Sequence, residues 1–257
     1  MNNKDIMKIA AAQSALELSC DVSDLFSEEN KVFISKPHPK ARKYLTLPFD
    51  CQLVTYGTSV VAAARDAETA EIAQTYINTY KGEHCFETPN MHVLNDALLK
   101  KGLKICFMAE YFLPDLSSLK ELPCPFGTAV LGPEDFKNLY TPQWTNALCE
   151  KRKELDILGV GAYDGKRLIG LAACSMDCDD MWQIGIDVLP EYRKMGVACS
   201  LTSALALKIL DNGKVPFYCA AWSNIKSVRN ALKSGFRPSW IEMTAKPISF
   251  VDSMNKQ

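Results

Sequence analysis

The sequence predicts an α/β protein with a mixed sheet, an α+β arrangement built in two parts, and three observations carry that prediction. Apolar runs of strand length alternate with runs of helical spacing through the 257 residues. A proline-rich stretch then divides the chain near its middle, with Pro114, Pro123, Pro125 and Pro133 among few large apolar side chains. Beyond it, MWQIGIDVLPEYRKMGVA (181–198) runs from a strand through a glycine-bearing loop into a long helix. The parts are expected at 1–113, a mixed α/β domain of unknown function, and at 126–250.

Bulk properties narrow the class. Apolar residues make up 47% and charged residues 23%, ordinary values for a globular protein. A net charge of −1 argues against a nucleic-acid partner, which calls for a basic excess. Apolar runs fall well short of the roughly 18 residues that a membrane span requires. The first residues, MNNKDIMKIAAAQSALEL, carry Asp5 and Glu17 and do not read as a signal peptide. Ten scattered cysteines without a C-x-x-C read as free thiols of a reducing cytoplasm rather than disulfides or a zinc site. His38, His84 and His92 make no metal pattern, so no metal is expected, and His84-Cys85 are neighbours that rarely share a face.

In order along the first part, Ile6, Ile9, Ala10 and Leu16 recur at helical spacing and predict a helix over the first 20 residues. The stretch to Asp50 is irregular, with a short apolar piece at Val32–Ile34 and prolines at 37, 39 and 48. CQLVTYGTSVVAAA reads as two strands around Gly57-Thr58, and Ala67 to Tyr80 as a helix with Ile72, Ala73, Tyr76 and Ile77 on one face. Pro89 opens a further helix that runs through Leu99 and ends at Gly102; LKICFMAEYFL then follows as a buried strand.

In the second part, Phe126–Leu131 suits a strand, and Glu134 to about Lys153 reads as helical with a break at Pro142. Leu155–Tyr163 and Arg167–Cys174 are strands joined by Asp164-Gly165, a hairpin turn because glycine readily takes positive φ. After a turn at Asp177–Asp180 comes the strand holding Trp182, Ile184, Ile186 and Val188, stopped by Pro190. The following loop and helix start have the parts of a phosphate cradle. The first amides of a helix lack intrahelical partners and carry partial positive charge. Gly196 and Ala198 permit close approach to them, and Arg193 and Lys194 supply charge.

Val188, Pro190, Arg193, Gly196 and Ala198 form V-x-P-x-x-R-x-x-G-x-A, which resembles the acyl-CoA signature of the GNAT acetyltransferase superfamily. Downstream, PFYCAAWSNIKSVRNALKSGF is similar to that family's next strand, its N-x-x-S/A step and a short helix ending in K-x-G-F, with Asn224, Ser227, Lys233, Gly235 and Phe236 in place. The resemblance covers about residues 126–245, and the tandem layout with PEYRKMGVA looks like the larger subgroup that includes the zwittermicin-resistance type.

The resemblance implies acetyl-CoA as cosubstrate and N-acetyl transfer to an amine by direct attack. Pantetheine would pair with backbone around Ile186, Val188 and Leu189, and the diphosphate would lie on Arg193, Lys194, Met195, Gly196, Val197, Ala198 and Cys199. Asn224 and Ser227 would complete the set. Where many members carry a tyrosine acid, this chain has Ala231. The base is open. One strand parity turns Trp182, Ile184 and Ile186 toward the substrate, and the other offers Gln183 and Asp187. Tyr192 suits packing or a diphosphate contact, and Tyr218 and Trp222 either line the slot or fill the core.

Three functional readings remain: an enzyme for a small amine, a protein N-terminal or lysine acetyltransferase, and a catalytically silent CoA-binding module. Asp177, Asp179 and Asp180 would supply an acidic slot for a basic protein substrate, or form a solvated turn. The first part is compatible with a substrate-selecting cover, a homodimer surface or a degenerate second copy of the fold. Phe112, Trp144 and Trp182 are expected in a slot between the two halves.

Overall fold

The computed structural model describes residues 1–256. In chain order its first elements are α1 (Asn3–Leu18), β1 (Lys31–Ile34), β2 (Cys51–Thr55), β3 (Val60–Ala64), α2 (Ala67–Thr79), α3 (Thr88–Leu99) and β4 (Leu103–Pro114). Next come β5 (Gly127–Leu131), α4 (Pro133–Phe136), β6 (Asp156–Asp164), β7 (Arg167–Ser175) and β8 (Met181–Val188). The chain continues through α5 (Val197–Asp211), β9 (Val215–Ala220), α6 (Ile225–Lys233), β10 (Phe236–Pro247) and α7 (Ile248–Met254).

These elements form two compact units. The earlier comprises residues 10–111 with 239–257, and the later comprises 1–9 with 112–238. The cuts therefore differ from the expected 1–113 and 126–250: the boundaries fall inside α1, β4 and β10, and the last nineteen residues join the earlier unit.

In the earlier unit the strand order is β1-β3-β2-β10-β4, with β1 parallel to β3 and the β2–β3 and β2–β10 pairs antiparallel. Every residue of β2 and β3 is buried, which explains the unbroken apolar run of β3, while β2 buries Gln52 and Thr55 with their hydrogen-bond partners. Leu53, Val60 and Ala62 pack there with Ala73 and Ile77 of α2, Leu94 and Leu98 of α3, and Met243 of β10. The sequence reading assigns no element beyond Phe236, whereas the structure has the twelve-residue β10 and then α7.

In the later unit the order is β9-β8-β7-β6-β5, antiparallel except for the β8–β9 pair. Helix α5 packs directly on β7. A Cβ added at Gly170 would meet Val197 Cγ1 at 2.8 Å and Leu201 Cδ1 at 3.1 Å, so the glycine lets helix and strand touch. The expected helix from Glu134 toward Lys153 is corrected to the single turn α4 and two 3-10 turns, at Pro142–Trp144 and Glu150–Leu155. The reason lies in its hydrogen bonds. The amides of Asn146 and Ala147 donate to the Asp187 carboxylate and that of Cys149 to Asp156, so they do not close helical turns.

Candidate functional site: a helix terminus beside two diverging strands

Strand β8 ends at Val188, and Pro190–Tyr192 turn the chain toward α5. Lys194 and Gly196 both adopt positive φ, +67° and +86°. Two left-handed residues within three positions fold the loop back so that Gly196 becomes the N-cap of α5, with no side-chain cap bond. A glycine needs no special stabilisation there; a lysine does, and it is the kind of conformation kept at ligand loops. Ser200 N–H already bonds the Gly196 carbonyl, which leaves the amides of Val197, Ala198 and Cys199 as the helix's first donors. Arg193 is exposed, and its Nε donates to the Val188 carbonyl at 3.0 Å, holding the guanidinium at the end of β8. Lys194 and Met195 are exposed beside it.

The loop is pinned from behind. Tyr192 donates its hydroxyl to Asp164 at 2.8 Å and sets its ring edge-on to Phe126, while Arg167 pairs with Glu191 at 2.7 Å. The Asp164 contact raises the Tyr192 pKa, chiefly because its hydrogen bond favours the protonated phenol. Tyr192 is thus a packing residue tied to the β6–β7 turn.

Beside this loop the strands part. β8 and β9 pair in parallel at Met181↔Val215, Trp182↔Pro216 and Gln183↔Phe217, and their register ends there. The five β8 residues beyond Gln183, about 17 Å of strand at 3.3 Å each, lead from the point of divergence to the cradle loop. A strand edge beyond its last β9 pair, next to a helix start, is suited to a long extended ligand with a phosphate end.

A GNAT acetyltransferase family model matches residues 121–240, the span that contains all of these features. Residues 121–240 belong to the GNAT acetyltransferase family. Among solved structures, the chain is similar to a GNAT-family protein from Novosphingobium aromaticivorans, with 20% identity, a TM-score of 0.42 and coverage of 56% of this chain and 66% of that one. It is similar to a GCN5-related N-acetyltransferase-like protein from Streptococcus suis at 18% identity and TM-score 0.46, covering 61% and 69%. It also resembles an aminoglycoside N-acetyltransferase in complex with CoA at 20% identity and TM-score 0.35, covering 46% and 93%. The chain thus spans just under two thirds of the first of these proteins. No curated protein matches the chain.

Within the GNAT span the sequence candidates divide into groups. Ile186 and Val188 are half-buried on β8, Leu189 is buried, and the run from Arg193 to Cys199 forms the loop and first helical turn, so these come together. Asn224 and Ser227 lie elsewhere. They open α6, where Asn224 Oδ1 caps the helix by accepting Ser227 N–H at 3.2 Å. It is the opposite end of α6 that meets the cradle helix, through Ser234 Oγ on the Cys199 carbonyl. Nine residues of helix, about 14 Å at 1.5 Å per residue, separate the two ends, so Asn224 and Ser227 stand apart from the loop and first turn of α5.

The two base candidates are both engaged. Gln183 donates its amide to Cys219 Sγ at 3.1 Å, across the last row of β8–β9 pairing. Asp187 accepts three hydrogen bonds, from Asn146 N (2.9 Å), Asn146 Nδ2 (2.7 Å) and Ala147 N (3.0 Å). Asn146 and Gly185 escape the sequence reading. A Cβ on Gly185 would fall 1.9 Å from the Asn146 carbonyl oxygen. An isolated glycine inside a strand was the available signal for that close approach.

Phe112, Trp144 and Trp182 are all buried in the apolar core of the later unit. Asp177 is fully buried, ion-paired with Arg152 and hydrogen-bonded by Ser175 Oγ, and Asp180 pairs with Lys214, so Asp177–Asp180 do not make an open acidic slot. Tyr218 is buried, its ring against Phe112 and Phe236 and its hydroxyl 2.8 Å from Ser227 Oγ. Burial first of all pushes its phenol pKa up. Trp222 is half exposed. Ala231 is fully buried, where the family resemblance looks for a tyrosine. Among the described residues no group of three or more His, Cys, Asp or Glu is placed to hold a metal ion, and no helix is long and apolar enough to cross a membrane.

Proposed function

We propose that the GNAT unit binds acetyl-CoA and transfers its acetyl group to an amine. The observation that carries this reading is the uncapped start of α5 at Gly196, placed where β8 and β9 have parted. The diphosphate accepts from the amides of Val197, Ala198 and Cys199, with Arg193 and Lys194 adding charge. Pantetheine lies along β8 from Val188 toward Gln183 and pairs with its backbone. A β8 amide near the closed end of the wedge then polarises the thioester carbonyl. The neutral amine attacks the acetyl carbon, the carbon–sulfur bond breaks, and the thiolate takes up the proton that the nitrogen releases. With Asp187 and Gln183 both committed to protein partners, holding the two reactants in register supplies most of the acceleration.

Calorimetric titration with CoA tests the cradle. Binding to the wild type is expected, and Arg193→Ala should weaken it by about 1.5–3 kcal/mol, roughly tenfold or more, through loss of a charge-assisted contact. Absence of heat with CoA, or an unchanged dissociation constant in the variant, removes the reading. A second reading, a silent CoA-binding module, draws on the buried Ala231 and the committed Asp187. Release of free thiol from acetyl-CoA in the presence of an amine panel separates the two, because a silent module binds without turnover.

A further inference from the structure

The carboxylate nearest the proposed acyl site is spent on backbone, and the backbone it holds is an irregular segment. Residues 137–155 contain two short 3-10 turns and no longer helix, so few internal hydrogen bonds fix them. Trp144, Ala147 and Leu148 are buried in the core, and the segment's polar fixed points lie on the sheet. At one, Asp187 Oδ2 accepts both the Asn146 and the Ala147 amide while Oδ1 accepts the Asn146 side-chain amide. At the other, Asp156 takes the Cys149 amide. Between them the Asn146 carbonyl sits in the space that a side chain at Gly185 would fill.

Gly185 and Asp187 occupy alternate positions of β8, so they share one face of that strand. They stand midway between the cradle and the row at Gln183 where β8 and β9 close. A ligand anchored at Gly196 and laid along β8 brings its reacting end to this level. We infer that Gly185 and Asp187 form a seat that fixes the 142–149 segment over β8 and thereby sets the acceptor side of the acyl site. Asp187 is a positioning residue, not the base. The inference rests on the acetyl-transfer reading.

Two substitutions separate a seat from a base. In Asp187→Asn the new amide oxygen accepts the two backbone N–H groups, and Asn146 turns its own side-chain oxygen toward the new NH2, so all three bonds persist without a charge. Asp187→Ala loses all three. The full chain is digested with trypsin, which cuts at Lys151, Arg152 and Lys153. Thiol release from acetyl-CoA is followed with ethanolamine as the probe acceptor. Asp187→Ala should speed nicking and slow thiol release by about tenfold or more each, and Asp187→Asn should recover both to within about threefold of wild type. CoA affinity should hold in both variants.

Should Asp187→Asn lose turnover as fully as Asp187→Ala while its segment stays protected, the carboxylate itself does chemistry and the seat is refuted. Unchanged nicking in Asp187→Ala refutes it equally. If the wild type binds no CoA, it is the acetyl-transfer reading that fails, and the proteolysis arm still decides whether the seat exists.

Discussion

Asp156 is 2% exposed and accepts hydrogen bonds from the Cys149 amide at 2.9 Å and the Tyr140 hydroxyl at 3.2 Å. Burial lifts its pKa to about 6; Asp177 adds to the shift, while the two hydrogen bonds and Arg152 act against it. The folded protein therefore holds a proton that the unfolded chain has already released between roughly pH 4 and 6, and stability falls as pH rises through that window. The total is on the order of 3 kcal/mol at 1.4 kcal/mol per unit. Asp156→Asn keeps one oxygen for both the Cys149 amide and the Tyr140 hydroxyl, which reach the same Oδ2, so its stability should stay flatter from pH 4 to 7 and exceed wild type at neutral pH. Urea unfolding at several pH values checks this; parallel curves would contradict it. None of this was legible in the sequence, where Asp156 is one more acid at the start of an apolar run. Gly196 and Arg193 were legible, because the loop that uses them is contiguous.

At the level of elements, two helices leave a strand through a short loop, and their first turns differ in kind. α5 starts at Gly196 without a side-chain cap, whereas α2 starts at Asp66, whose carboxylate accepts Thr69 N–H at 2.8 Å. That bond holds the Asp66 pKa below the usual carboxylate range. The end of α2 already has its anion, so a diphosphate placed there would meet like charge from Asp66 and Glu68. CoA should accordingly bind with a stoichiometry of one per chain, and two sites by calorimetry would overturn the comparison. Asp66→Ala should cost about 1 kcal/mol of stability. The sequence predicted α2, α5 and α6 well, because caps and apolar spacing lie within each segment. It failed over 134–153 because the groups that draw those amides out of a helix, Asp156 and Asp187, lie up to forty-one residues downstream.

Across the whole chain, the most distant sequence positions meet around Arg42. Its guanidinium is 3% exposed; Nη2 pairs with Glu17 and with Glu242, each at 2.6 Å, Nε reaches Glu17 at 3.0 Å, and Nη1 donates to the Tyr44 hydroxyl at 2.7 Å. Trp240 Nε1 and Gln52 Nε2 donate to the same Glu242 carboxylate. Burial opposes the charge on Arg42, and the two carboxylates outweigh it and raise its pKa. Arg42→Ala leaves both buried acids without a counter-charge and should cost more than about 3 kcal/mol in urea unfolding of the full chain. A loss under about 1 kcal/mol would mean that water replaces the guanidinium. The sequence shows Arg42 only as a basic residue in an irregular stretch, since the pairing spans two hundred positions. Hydropathy patterning gave the fold class, but not this closure.

That closure bears on how the protein is made. Glu242, Met243 and Ala245 all belong to the unit whose other residues lie at 10–111. On the ribosome, the part that emerges first must wait, with Arg42 and Glu17 facing each other but without the Glu242 carboxylate, until the strand that carries it has been made. The GNAT unit is complete at Pro238 and so can finish first. A released chain ending at Pro238 should accordingly hold a protease-resistant later unit and a soft 10–111, because the earlier unit still lacks the residues from 239 onward.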